Sequence, residues 1–122
     1  MILLSGCNSP GLRHIGVAPV RLSEGGMQFD VRHRAGYAEA IRTNALWSVR
    51  MADVANNGGR AIERATGCDI VWLQGDPSVL LAGLDCGDGL KPPRQPRGRA
   101  VCSGRLSPAD LRGERDVFLS CG

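Results

Sequence analysis

The tightest constraint in this chain is the Gly25-Gly26 pair, which separates two runs of alternating apolar and polar residues. Two-residue hairpin loops need positive φ to match the twist of their strands, and glycine supplies it without steric cost. Read as such a loop, the pair sets Leu22 opposite Phe29, Val20 opposite Val31 and Ala18 opposite His33. Ala35-Gly36 gives a second turn and sets Val31 opposite Ala40. Side chains along a strand alternate between faces, so this register gathers Ala18, Val20, Leu22, Met27, Phe29, Val31, Ala38 and Ala40 on one core face, with Arg42 and His33 towards its margins. On the other face it sets Arg21 across from Asp30 and Arg32 across from Glu39, two opposite-charge pairs that the apolar pattern did not require. Exposed pairs of this kind contribute at most about 1 kcal/mol each, so this second face is expected to be polar and solvated. Pro19 lacks a donor and places strand 17–23 at a sheet margin.

Residues 47–66 carry Met51, Val54, Ala55, Gly58, Ala61, Ile62 and Ala65 at spacings of three and four, one apolar stripe of a helix, with Gly67 as its stop. The Asn56-Asn57-Gly58-Gly59 run is poor helix material, each glycine costing about 1 kcal/mol relative to alanine. It predicts either a kink or a close approach of Gly58 to the sheet. From Cys68 to Cys86 the chain reads as a hairpin turning through Gly75-Asp76-Pro77-Ser78. Reflection about Pro77 sets Ile70 against Leu84, Trp72 against Ala82 and Cys68 against Cys86. Directly opposed residues on antiparallel strands have Cα atoms about 4.5–5.5 Å apart, within the span of a disulfide.

At the amino terminus, Leu4-Ser5-Gly6-Cys7 resembles the lipobox of bacterial lipoproteins, and polar, turn-forming Asn8-Ser9-Pro10-Gly11 follows at once. The resemblance to small lipoproteins of that kind implies removal of the preceding peptide, a diacylglycerol on the Cys7 thiol, and residence in the cell envelope. A secretory signal has a basic segment and an apolar stretch of about 7–15 residues, so the short Ile2-Leu3-Leu4 run calls for a start upstream of Met1. With Cys7 lipidated, Cys68, Cys86, Cys102 and Cys121 remain, an even number suited to an oxidising compartment. The natural pairing is then Cys68 with Cys86 and Cys102 with Cys121. If Met1 is the true start instead, Cys7 is unmodified and the chain is a cytosolic accessory protein that binds nucleic acid or another protein through its basic tail.

That tail is where the charge surplus lies. Residues 1–86 hold eight basic and eight acidic side chains, whereas residues 87–122 hold seven and four. The stretch 87–99 is rich in proline, glycine and arginine without periodicity, which reads as a linker or loose tail. Lys91, Arg94, Arg97 and Arg99 are its candidates for contact with an anionic surface such as lipid headgroups, set against the plainer role of keeping a linker soluble. Further on, Ser107-Pro108-Ala109-Asp110 predicts a short helical turn, and Val117-Phe118-Leu119 an apolar patch that docks back on the domain.

No nucleophile elbow, phosphate-binding glycine loop or calcium loop is present in the sequence. The cysteines form no C-x-x-C pair, and neither His14 nor His33 stands three or four residues from a cysteine, so no metal or cofactor is expected. A cysteine nucleophile would need a histidine brought near by the fold, and no catalytic residue is assigned. With five aromatic residues, stacking platforms are scarce and nucleic acid is disfavoured as a partner. The chain therefore reads as a non-catalytic α+β domain over residues 17–86. Its five-stranded antiparallel sheet runs in β-β-β-α-β-β order with one helix packed on a face. A signal remnant and tether (1–16) precede it, and a basic segment (87–122) follows.

Overall fold

The structure, a computed structural model, describes residues 11–44, 48–97, 102–106, 111–112 and 117–121. Seven strands and one helix follow in the order β1 (Val20–Glu24), β2 (Met27–Arg34), β3 (Tyr37–Arg42), α1 (Met51–Thr66), β4 (Asp69–Gly75), β5 (Val79–Asp85), β6 (Cys102–Leu106) and β7 (Val117–Cys121). They form one antiparallel sheet with spatial order β1-β2-β3-β5-β4-β6-β7. The fold is the expected α+β arrangement, with β1 at one margin.

The glycine turns set the register they predict. Gly25 and Gly26 both have positive φ (55° and 79°), and β1 and β2 pair Leu22 with Phe29, Arg21 with Asp30 and Val20 with Val31. Beyond Ala35-Gly36, Val31 pairs with Ala40 and Arg32 with Glu39. Ala18 and His33 do not enter the ladder, which begins at Val20. Phe29, Val31, Ala38, Ala40, Leu80 and Ala82 form the centre of a core closed by Val54, Ala55, Ala61 and Ile62 of the helix.

The helix runs unbroken through Asn56-Asn57-Gly58-Gly59. Gly58 is buried, and a β-carbon there would overlap Leu80 Cδ1 and reach the Phe29 ring. Close approach to the sheet, not a kink, is what the glycine provides. Helix α1 begins at Met51, four residues later than the periodicity predicts; Ser48–Arg50 are not helical and Trp47 lies outside the described residues. It ends where Gly67 turns left-handed (φ 71°) and donates its N–H to Glu63 O at 2.8 Å.

Three expectations are corrected. First, β4 contains a bulge: Ile70 pairs with Leu84 as predicted, but Trp72 then pairs with Gly83 rather than Ala82. The extra residue, Val71, reverses the alternation, so Ile70 and Leu73 enter the helix-side core and Trp72 lies on the opposite face. Second, the C-terminal segment adds two strands, β6 on the free edge of β4 and β7 beyond it. The predicted turn at residues 107–110 lies outside the described residues. Third, the face opposite the helix is not solvated across β2 and β3: Asp30, Arg32 and Glu39 are buried. Residues 11–17 cross this face, and His14 is fully buried there.

The contact between Gly83 and Trp72 is the tightest result of the bulge, since a β-carbon on Gly83 would overlap the indole at Nε1 and Cε2. Gly83→Ala is expected to lower the unfolding free energy by about 1–3 kcal/mol, the usual cost of overpacking. Urea denaturation reads it, and an unchanged midpoint would show that the indole does not lie against this residue.

Candidate functional site

The helix exit places the first site residue. Thr66 Oγ1 donates to Ile62 O (2.7 Å) and accepts from Cys68 N–H (3.2 Å), so the chain passes from helix to strand with Cys68 fixed at the turn. Cys86 follows β5 directly, and the two cysteines form a disulfide with Cα atoms 4.3 Å apart. In the chain-entropy account, closing a loop of this length contributes about 3 kcal/mol. A cavity of about 610 Å³ opens beside the bridge, lined by His33, Thr66, Cys68, Cys86, Asp88 and Lys91 among others. His33 stands at the end of β2 with a ring nitrogen within 4.8 Å of both sulfurs. The fold thus brings a histidine to the cysteines, which sequence spacing alone did not indicate. With the bridge closed, neither sulfur is available as a thiolate nucleophile or metal ligand.

Residues 91–97, expected as a loose linker, form a strap held across the face opposite the helix. Trp72 Nε1–H donates to Pro93 O at 2.7 Å, and Gln95 Nε2 donates to Gln74 Oε1 at 3.0 Å. Pro93 also lies against Gly36. Between strap and sheet runs a groove of about 430 Å³, lined by Val71, Trp72, Pro93, Lys91, Arg94 and Arg105 among others. Lys91 borders both this groove and the disulfide cavity. Gln95 and Arg105 continue it into a third concavity that reaches Phe118 and Ser120 on β7. Among the described residues, Lys91, Arg94, Arg97 and Arg105 take part in no ion pair. No carboxylate among them lines either the groove or its continuation.

The other half of this face is closed by the amino-terminal segment. Gly11 N–H donates to Glu39 Oε2 (2.9 Å), Arg32 Nε donates to Val17 O (3.1 Å), and His14 Nδ1 stands 4.0 Å from Glu39 Oε2. Arg21 grips Asp30 through Nε (2.9 Å) and Nη2 (3.3 Å); this hydrogen bonding, and then the aspartate charge, raise the guanidinium above its ordinary pKa. The two halves meet at Tyr37. Arg13 lies over its ring, 4.4 Å from the centroid, and Trp72 meets it edge-on at 6.0 Å.

Of the residues assigned from sequence, Cys68 and Cys86 are joined as expected. The β6–β7 register sets Cys102 directly opposite Cys121, and Cys102 is itself disulfide-bonded. Lys91 and Arg94 lie on the groove, and Arg97 is exposed on the strap. Cys7 and Arg99 lie outside the described residues. Sequence reasoning missed Trp72 as the strap's fastening and Arg105 as a groove cation. No family model, curated protein or solved structure matches this chain.

If the Trp72 indole fastens the strap, Trp72→Phe removes one buried hydrogen bond and should expose the Arg94–Gln95 bond. Trypsin cleavage after Arg94 is then expected to accelerate several-fold while the far-ultraviolet circular dichroism is retained, since one such bond is worth about 1 kcal/mol. Cleavage at the parental rate would show that the strap is held by other means.

Proposed function

We propose that this chain is an exported protein of the bacterial cell envelope, anchored through a lipidated Cys7, that works as a non-catalytic binding or structural module. The observation that carries this reading is the Cys68–Cys86 disulfide. Structural disulfides persist in oxidising compartments outside the cytoplasm, where glutathione and thioredoxin do not reduce them. No helix among the described residues is long and apolar enough to cross a membrane. The lipobox-like Leu4-Ser5-Gly6-Cys7 supplies a candidate attachment. Both sulfurs near His33 are engaged with each other, which supports a structural rather than a nucleophilic role for the two cysteines. The competing expectation, a cytosolic nucleic-acid binder, has less support, since cytosolic thiols keep cysteines such as Cys68 and Cys86 reduced.

Two measurements test the reading. Peptide mapping of non-reduced protein should recover Cys68 and Cys86 in one cross-linked species, and alkylation under denaturing conditions should leave both unmodified. In a bacterial host expressing the gene with its native upstream region, an alkyne-bearing fatty acid should label the protein in the membrane fraction, and Cys7→Ala should abolish the label. Freely alkylated Cys68 and Cys86 would remove the oxidising compartment, and an unlabelled parent would remove the anchor.

A further inference from the structure

The open half of the face opposite the helix combines two properties. Lys91, Arg94 and Arg105 stand around one groove without a carboxylate partner among the described residues. Interleaved with them are exposed apolar side chains: Val71 is 40% exposed, Phe118 68% and Leu90 73%. The groove shares Arg105 with the concavity that Phe118 lines, and Lys91 with the neighbouring cavity that Leu90 lines together with Asp88. The cations are not carried on a loose tail. The strap that bears Lys91 and Arg94 is fastened to Trp72 and Gln74, and Arg105 projects from β6 beside it.

Cations mixed with exposed apolar groups match the boundary of an anionic bilayer, where headgroup phosphates lie just above the acyl region. The chain's own course adds a second argument. The amino-terminal segment lies on this same face, with Gly11 bonded to Glu39 and Arg13 stacked on Tyr37. Cys7 precedes Gly11 by four residues, a reach of roughly 14 Å when fully extended. A lipid on Cys7 would therefore join the chain close to where it leaves this face.

We propose that the surface formed by Lys91, Arg94 and Arg105 with Val71, Leu90 and Phe118 rests on the membrane and binds the phosphates of anionic phospholipid headgroups. The inference takes its setting from the envelope reading, but its test does not depend on the anchor. The Cys7→Ala chain, which carries no acyl group, is sedimented with phosphatidylcholine vesicles with and without phosphatidylglycerol. It should bind the anionic vesicles alone, with partitioning that weakens as salt is raised. Arg94→Ala and Arg105→Ala should each lower partitioning about fivefold, in line with the contribution of one cation near an anionic surface. Phe118→Ser should lower it further, whereas Arg60→Ala, which removes an exposed cation from α1 on the helix side, should leave it unchanged. Near-ultraviolet circular dichroism confirms that each variant is folded. Equal binding to both vesicle types, or an Arg60→Ala effect matching that of Arg94→Ala, would overturn the proposal. Binding to polyglutamate but not to anionic vesicles would also overturn it and assign the groove to an acidic protein instead. Loss of fatty-acid labelling with vesicle binding intact would remove the anchor while leaving this surface standing.

Discussion

The Trp72 indole lies against Gly83, where any β-carbon would collide with it, and this contact decides how β4 uses its two faces. With regular alternation, Ile70 and Trp72 would share the helix side. On that side α1 approaches closely, with Gly58 against Leu80 and Gly59 against Ile70 and Leu106. The bulge at Val71 separates the two residues, giving Ile70 and Leu73 to the helix and Trp72 to the opposite face. There the indole N–H is buried, and a buried donor without an acceptor costs about 1–3 kcal/mol. Pro93 O accepts it, so the course of the strap, and with it the position of Lys91 and Arg94, follows from where the indole lies.

This chain also separates what local pattern can report from what it cannot. The hairpins at Gly25-Gly26 and Ala35-Gly36 were legible because a two-residue turn and a period of two leave one register that serves both faces. Reflection about Pro77 placed Cys68 against Cys86, yet near the turn the pairs run one residue off that reflection, from Gly75–Leu80 to Trp72–Gly83, and the Val71 bulge is what brings Ile70 to Leu84 and the cysteines together. The bulge was not, since Ile70-Val71-Trp72-Leu73 is apolar throughout and nothing in it marks the extra residue. Strands β6 and β7 were missed because Cys102-Ser103-Gly104-Arg105-Leu106 carries little apolar alternation and takes its partner from the distant edge of β4. Placing His33 beside the sulfurs required the pairing of β3 with β5, which sets Ala38 against Ala82 and no short-range signal announces.

The charge pairs show that register and environment are separate questions. Arg21 does face Asp30 and Arg32 does face Glu39, as the alternation requires, yet Asp30, Arg32 and Glu39 are buried rather than solvated. A buried polar group must find hydrogen-bond partners or lose free energy. The amino-terminal segment supplies two of them, with Gly11 N–H on Glu39 and Val17 O on Arg32, while Arg32 Nη1, Glu39 Oε1 and His14 Nδ1 have no hydrogen-bond partner among the described residues. The polar face is thus not merely covered by residues 11–17; its unmet donors and acceptors are a reason for the segment to dock there.

One face therefore does two things. Over β2 and β3 it is closed by a segment that its buried charges hold, while over β4, β6 and β7 it stays open as a basic groove, and the halves join at Tyr37 between Arg13 and Trp72. Gly11 is held on this face by Glu39, so the chain toward Cys7 departs from the same face that carries the groove. An attachment at Cys7 and a cationic groove on β4 and β6 would consequently act on the same side of the molecule. The buried Glu39 that fixes Gly11 would then contribute to which surface the groove meets.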